Sequence, residues 1–175
     1  GKKNIFFVNK KKSVLKFNLC KNESHNKQVN ISKFYEGNDI SSFYLINNKK
    51  NKIKLLSHIE EFNDFRNAKI YSYGLSVPPI FSDKQLIRVK EKIDKSIINL
   101  FMSFYGILSI SSKITKNRKV LPYEINIGLS GDKFADHIFP YIYKNRSLYK
   151  IELNMALFKT KKNMINQLNK FIGFV

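Results

Sequence analysis

The stretch SSKITKNRKVLPYEI, residues 111–125, has the charge pattern with the clearest chemical use in this sequence. Four cations (Lys113, Lys116, Arg118 and Lys119) fall within seven positions, and no acidic residue follows until Glu124. Cationic side chains at this density bind phosphate groups, and each phosphate that they neutralise makes the affinity more dependent on salt. The same run of charge is also typical of a solvated surface turn. Both interpretations place the segment in a loop.

A second candidate binding surface combines aromatic and basic side chains. Tyr71 and Tyr73 alternate along one segment, and Lys69 precedes them. Aromatic rings interleaved with cations stack on unpaired bases. The alternative is that both tyrosines are half-buried strand residues, which is the commoner role of strand aromatics.

Catalytic patterns are sparse. His25, His58 and His137 lack the spacing of metal ligands, and no glycine-rich nucleotide fingerprint is present. Asp132 and Asp136 lie four residues apart beside His137, but carboxylates near a helix start commonly interact with the helix dipole. The sequence therefore predicts no catalytic residue, no metal site and no cofactor, and we expect a protein that is not an enzyme.

Composition limits the partner and the number of domains. The chain has 175 residues, a formal net charge of +19 and 43% hydrophobic residues, which suits one domain with an extension. Such positive charge predicts an acidic partner, and its spread along the chain favours a polyanion over a membrane. The apolar runs are too short to span a bilayer. The single Cys20 excludes an intramolecular disulfide.

The pattern of elements divides the chain at residue 66. Residues 1–66 contain short apolar runs between Lys/Asn stretches and are interpreted as an extension with strands and a short helix. Residues 67–175 are predicted to form the folded domain, in the order β-α-β-β-α-β-α. These elements are a strand at 68–77, a helix capped by Ser82 with Gln85, strands at 107–110 and 123–129, a helix at 131–144, a strand at 148–157 and a last helix after Thr160.

This order predicts an α+β fold. We expect a single mixed, mostly antiparallel sheet with helices packed on one face, in addition to the amino-terminal extension.

The segment KITKNRK (113–119) resembles the basic loop of the universal large-subunit ribosomal protein number five family. Its surroundings are similar too, since IYSYGLSV and SDKQLIRVKEKIDKSIINLFMSFYG precede the loop and LYKIELNMALFKTKKNMINQLNKFIGFV resembles the end of the family's sequence. The resemblance covers about residues 67–175. The chain is shorter than the family after the basic loop, and IGLSGDKFADHIFPYI matches either a central strand and helix or a later Ile-Phe-Pro segment.

The resemblance implies a structural constituent of the large ribosomal subunit in its central protuberance. The implied partners are rRNA, including 5S rRNA where it exists, P-site tRNA and neighbouring ribosomal proteins with a small-subunit bridge partner. A free-standing RNA- or DNA-binding regulatory module is the alternative, and a peripheral membrane protein is a third hypothesis. The expected RNA contacts are Lys113, Thr115, Lys116, Asn117, Arg118 and Lys119, together with Lys69, Tyr71 and Tyr73.

The Lys/Asn bias, the long amino-terminal part and the shortened domain together predict a mitochondrial protein of the matrix. A plastid-type organelle and the cytoplasm stay open as alternative locations.

Overall fold

A computed structural model gives the positions of residues 6, 8, 13–47, 52–66, 69–100, 104–129, 134–144, 146–157 and 172–174. Six strands and four α-helices lie within these ranges, together with one π-helical turn. In chain order they are α1 (Ser13–Glu23), β1 (Gly37–Asn47), β2 (Lys52–Arg66), β3 (Lys69–Val77), α2 (Asp83–Leu100), β4 (Tyr105–Thr115), β5 (Val120–Ile127), the π-helical turn (Phe134–Ile138), α3 (Phe139–Ile142), α4 (Leu148–Ala156) and β6 (Ile172–Phe174).

The strands form one sheet in the order β5-β4-β1-β2-β3-β6, and every neighbouring pair is antiparallel. The predicted α+β class with a single sheet is therefore confirmed. Both β1 and β2 precede residue 67, yet they form the centre of this sheet, and β1 pairs along its whole length with β4. The segment that we interpreted as an extension thus contributes two central strands.

The two faces of the sheet carry different helices. Successive side chains of a strand point to opposite faces, so Phe43 and Tyr44 of β1 belong to different apolar clusters. We call the side of Phe43 the front face, where the π-helical turn, α3 and α4 pack, and the side of Tyr44 the back face, where Val89 and Ile93 of α2 pack. The helices thus occupy both faces, which refines the single helical layer expected from the sequence.

Helix α2 begins as its sequence predicts. The Ser82 hydroxyl donates to Gln85 Oε1 at 3.1 Å, and the Ser82 backbone N–H lies 3.3 Å from the same oxygen. The contact from the Ser82 N–H is one half of the capping box expected from a Ser followed three residues later by Gln, while Gln85 N donates to the Ser82 carbonyl oxygen at 2.9 Å. Val89 and Ile93 are fully buried, while Lys84 and Arg88 are exposed, so the amphipathic pattern is confirmed.

The carboxyl-terminal part differs from the prediction. The segment predicted as a strand at 148–157 is the helix α4, whose first turn is capped by the Ser147 hydroxyl accepting from Lys150 N at 3.2 Å. Its alternating apolar residues also contain a helical pattern, because Leu148, Ile151 and Met155 are buried at steps of three and four. The last helix was predicted after Thr160, and residues 158–171 lie outside the described ranges. Residues 172–174 form β6.

The helix predicted at 131–144 is also divided. Residues 131–133 lie outside the described ranges, and the rest is the π-helical turn followed by the short α3. Pro140 stands in the first turn of α3, where its missing N–H costs no helical hydrogen bond. Pro140 therefore marks a helix start, whereas the sequence pattern had placed it inside one helix.

Candidate functional site

The basic segment is a tight turn between two paired strands. Thr115 N donates to Lys119 O at 3.0 Å, and Arg118 N donates to Thr115 O at 2.7 Å. The Thr115 hydroxyl oxygen also accepts from Lys119 N at 3.1 Å. Arg118 adopts a φ of 59°, the left-handed conformation that closes such turns. The predicted strand, loop and strand are confirmed, and the loop is a short hairpin turn between β4 and β5.

Glycine is required next to this turn. Gly37, the first residue of β1, pairs with Thr115 and has a φ of 152°. A Cβ atom at this position would lie 2.1 Å from the carbonyl oxygen of Ile114. The backbones of β1 and β4 therefore approach closely enough that only glycine fits.

Two of the four cations in the basic segment already have carboxylate partners. Lys116 forms an exposed ion pair with Glu36, and the hydrogen bond from Lys116, with its charge, lowers the pKa of Glu36. Lys113 Nζ lies 2.7 Å from Asp39 Oδ1. The other predicted contacts of the turn, Asn117, Arg118 and Lys119, are exposed, whereas Thr115 is only partly exposed.

The second predicted surface lies elsewhere on the sheet. Tyr71 and Tyr73 belong to β3 and are 47% and 56% exposed, and the ring of Tyr73 stacks on Phe62 at a centroid distance of 6.1 Å. Lys69 is the first residue of β3. Because β1 and β2 lie between β3 and β4, the structure does not bring these three residues together with the basic turn.

Of the acidic cluster considered for catalysis, the structure describes only Asp136 and His137. Asp136 and His137 are exposed in the π-helical turn, and Asp132 lies outside the described residues. Within the ranges that the structure describes, no group of three or more His, Cys, Asp or Glu side chains is placed to hold a metal ion by itself. No described helix is long and apolar enough to cross a membrane.

The concentration of functional groups lies instead on the front face, beyond the part that α3 and α4 cover. We call this region the polar half, and it centres on Asp39, which is 8% exposed. Asp39 Oδ1 accepts from Lys113 at 2.7 Å and from the Tyr123 hydroxyl at 3.3 Å, while Asp39 Oδ2 accepts from Asn63 Nδ2 at 2.8 Å. One carboxylate thus joins side chains from β2, β4 and β5.

A second set of hydrogen bonds continues this network on β1. The Ser41 hydroxyl donates to Glu61 Oε1 at 2.6 Å and lies 3.3 Å from the Ser111 hydroxyl. Most members of the network are buried or half-buried and hold one another in place, so the polar half is preorganised.

The edge of the polar half carries two side chains with oxygen atoms that could bind a ligand. Glu124 and Asn126 of β5 lie two residues apart, which places both side chains on the front face, opposite Ser111 and Ser109 of β4. Glu124 is exposed and Asn126 half-buried. Sequence reasoning missed both residues, although the alternation of Tyr123, Ile125 and Ile127 in the same strand was the signal that could have revealed them.

The chain was then compared with known proteins. No protein-family model matches it, and no curated protein matches it in sequence. Among solved structures, it is similar to a biotin carboxylase from Campylobacter jejuni in complex with β,γ-ATP, at a TM-score of 0.72 and 13% identity. The match covers 93% of this chain and 36% of that one.

Two further solved structures are also similar to this chain. An N5-carboxyaminoimidazole synthetase from Staphylococcus aureus gives a TM-score of 0.60 at 20% identity, over 92% of this chain and 40% of that one. An ATP-grasp superfamily protein from Archaeoglobus fulgidus gives 0.53 at 20% identity, over 70% of this chain and 36% of that one. The chain thus has the fold of a part of these proteins and spans about a third of their length.

These comparisons overturn the ribosomal interpretation. The fold matches ATP-grasp proteins, so the resemblance to ribosomal protein number five, the role in the large subunit and translation, and the implied rRNA, tRNA and ribosomal-protein partners are all wrong. A regulatory nucleic-acid-binding module conflicts with the same findings. The expectation that the chain is not an enzyme conflicts with the names of its structural neighbours, which are synthetases, ligases and carboxylases.

Proposed function

We propose that this chain is the nucleotide-binding sheet of an ATP-dependent ligase or carboxylase of the ATP-grasp type, and that the polar half of the front face receives the nucleotide. The observation that carries the proposal is the placement of Glu124 and Asn126 on one face of β5, beside the preorganised polar half. The fold of the chain is similar to that of a biotin carboxylase–β,γ-ATP complex over 93% of this chain. One similar structure is described with MgADP and bicarbonate, and another with ADP.

Magnesium is the metal implied by the similar structure that contains MgADP. The polar half offers oxygen ligands that suit this ion. Mg²⁺ prefers oxygen ligands and is usually held by one or two carboxylates together with the phosphates of the substrate. Glu124 offers one carboxylate and Asn126 one amide oxygen on the same face of β5. The expectation of no metal was drawn from sequence spacing alone, which does not reveal a site that phosphates complete.

Each side chain has a definite task in this proposal. Glu124 and Asn126 would hold the metal, which supplies positive charge to the phosphate oxygens. Ser109 and Ser111, which lie directly opposite on β4, are hydroxyl groups that neither repel phosphate nor add charge. Lys113 contributes a cation whose orientation Asp39 fixes through the 2.7 Å contact.

Binding of ADP to the protein, measured by calorimetry with and without Mg²⁺, tests this function. We expect Glu124→Gln to weaken Mg²⁺-dependent ADP binding by at least about 10-fold, because even partners that only orient metal ligands contribute that much. Binding in EDTA is expected to stay the same.

Glu91→Gln is the matched control, since Glu91 is an exposed carboxylate on α2, against the opposite face. Equal affinities of the wild-type protein and Glu124→Gln in Mg²⁺ would contradict the proposed metal-binding role. For the cellular location we retain the proposal of a mitochondrion, with a plastid-type organelle and the cytoplasm as alternatives.

A further inference from the structure

Helix α1 and the segment after it carry exposed apolar side chains that the proposed function does not use. Val14 is 71% exposed and Leu15 is 74% exposed. A helix of eleven residues is too short to be stable by itself in water, and most helices in proteins are stabilised by packing an apolar face. The described residues cover these two side chains little, so α1 has the composition of an element that packs against a further partner.

These apolar side chains border an open groove of about 610 Å³. Helix α1 contributes Val14 and Phe17 to its lining, and the segment after the helix contributes Val29 and Ile31. Ile31 is 75% exposed. Contiguous apolar surface that stays open to solvent typically marks an interaction site.

The segment of residues 28–36 has the properties of an unpaired β-strand. It continues without a turn or a bend as far as β1. Its residues alternate between apolar and polar over Val29, Asn30, Ile31 and Ser32. In the described part of the chain, no backbone group of residues 29–33 is hydrogen-bonded to another backbone group. Unpaired N–H and C=O groups of an extended segment are a template for the addition of a strand.

The charge around the groove indicates the chemistry of the partner. Residues 13–35 contain four lysines and one acidic residue, Glu23. Lys27 and Lys33 flank the unpaired segment, and both are exposed. A second copy of this chain would bring a net charge of +19 toward these cations and would be repelled. An acidic partner would be attracted.

We propose that the groove beside α1 is a docking site for an extended segment of another protein, in which apolar residues alternate with polar ones and an acidic residue stands at each end. The backbone of this segment pairs with residues 29–33, and its apolar side chains pack against Val14 and Phe17. Its acidic residues lie near Lys27 and Lys33. This inference goes beyond the proposed function and does not depend on it, because none of these residues belongs to the polar half.

A synthetic peptide with these properties tests the docking site. The probe is acetyl-EVTVTVE-amide, and its binding to the whole chain is followed by ¹⁵N NMR. We expect saturable chemical-shift changes confined to α1 and residues 28–33, and slower exchange of the amide protons of residues 29–33 because strand pairing protects them.

Two control peptides test the charge and the pairing separately. Acetyl-KVTVTVK-amide places cations beside Lys27 and Lys33, and we expect it to bind at least about 10-fold more weakly. Acetyl-EVTPTVE-amide lacks one backbone donor and disfavours a strand, so a similar loss of about 10-fold is expected. The double variant Lys27→Glu with Lys33→Glu should reverse the preference between the acidic and the basic peptide.

Ile31→Lys tests the apolar lining. Because Ile31 is largely exposed, this change should leave the fold intact, yet it should weaken the acidic peptide at least about 10-fold by replacing an apolar contact. Ile80→Lys is the matched control, since Ile80 is also an exposed isoleucine, 69% exposed, and does not line the groove. ADP binding should be the same in both variants and in the wild-type protein.

Each outcome decides the proposal. If acetyl-EVTVTVE-amide gives no saturable shifts up to its solubility limit, or if Ile31→Lys and the charge reversal leave its affinity unchanged, the docking site is wrong. If the chain forms a dimer in sedimentation that Ile31→Lys dissociates, a second copy occupies the groove and the proposal is equally wrong. In either case the nucleotide site is unaffected, because ADP binding is measured independently.

Discussion

Two clusters of polar side chains lie on opposite faces of the same sheet, and they differ in access. The polar half of the front face has exposed members, such as Tyr123 and Glu124. The back-face cluster is formed by Ser42, Tyr44 and His58 of the sheet together with Asp94 of α2, which covers them. Ser42 and Tyr44 are completely buried, and His58 is 8% exposed. Access, more than the number of polar groups, therefore decides which cluster can receive a ligand.

The enclosed cluster shows what burial does to titratable groups. The Ser42 hydroxyl lies 2.8 Å from His58 Nδ1. The Tyr44 hydroxyl and Asp94 Oδ1 meet no partner at hydrogen-bonding geometry among the described residues. Burial is the main cause that raises the pKa of Tyr44, with Asp94 adding to it. Placing a charge on His58 or Tyr44 at these buried positions would therefore destabilise the folded chain.

The largest expected effect concerns His58. Burial lowers the pKa of His58 to about 4, with the nearby Asp94 opposing this shift and Lys90 adding to it. In the unfolded chain, His58 binds a proton near the ordinary pKa of 6.5, whereas in the folded chain it does so only near 4. The free energy of unfolding is therefore highest above pH 6.5 with respect to this group, and it falls as the pH drops toward 4. The loss should reach about 3 kcal/mol in the free energy of unfolding, at 1.36 kcal/mol for each pKa unit.

Urea unfolding between pH 4 and pH 8 measures this dependence. His58→Gln should flatten it, whereas His137→Gln, at an exposed histidine, should leave it as in the wild-type protein. A slope that His58→Gln does not alter would show that other groups cause the dependence, and the contrast between the two clusters would then lose its main support.

A smaller effect is expected at the centre of the open cluster. Asp39→Asn keeps the shape of the side chain but leaves Lys113 without its carboxylate partner. We expect the free energy of unfolding to fall by about 1–3 kcal/mol, because the half-buried ammonium group of Lys113 loses its charged hydrogen-bond partner.

The double variant Asp39→Asn with Lys113→Met removes the unpaired cation as well. It should recover part of the lost stability, since replacing a buried pair costs less than breaking it. A double variant less stable than the sum of both single changes would argue against this account of the open cluster.

The smallest effect is expected at the basic turn. Lys116 and Glu36 form an exposed pair, and exposed pairs contribute little to stability. Replacing Lys116, Arg118 and Lys119 together with Ala should therefore leave Tm unchanged within the error of a thermal melt. A clear drop in Tm would show that the turn contributes to the fold beyond its backbone hydrogen bonds.

The sequence predicted the features that local rules determine. The Ser82–Gln85 cap, the amphipathic face of α2 and the strands around the basic turn depend on nearby residues, and the structure confirms them. The identity of α4 was missed because LYKIELNMAL supports both an alternating and a helical pattern. Local patterns do not decide between these two outcomes, whereas packing of Leu148 and Met155 against the front face does.

The candidate site was missed for a different reason. Asp39 lies 84 residues before Tyr123 in sequence, and only the order of strands brings it next to Tyr123 and Lys113 of the basic hairpin. The charge of the basic segment drew attention to Lys116 and Arg118, but Lys113 has its role because it lies within β4 and not in the turn. A pattern of charge indicates where cations are, and strand pairing decides what they contact.

The position of β1 at the centre of the sheet also has a consequence for how the chain folds. Ser41 pairs with Ser111, seventy residues later, and Gly37 pairs with Thr115. Pairing over such sequence separations requires closure of a long loop, which costs conformational entropy before the strand contacts form. This cost slows folding. During synthesis, β1 and β2 can form a hairpin first, but one edge of that hairpin stays open until β4 emerges from the ribosome.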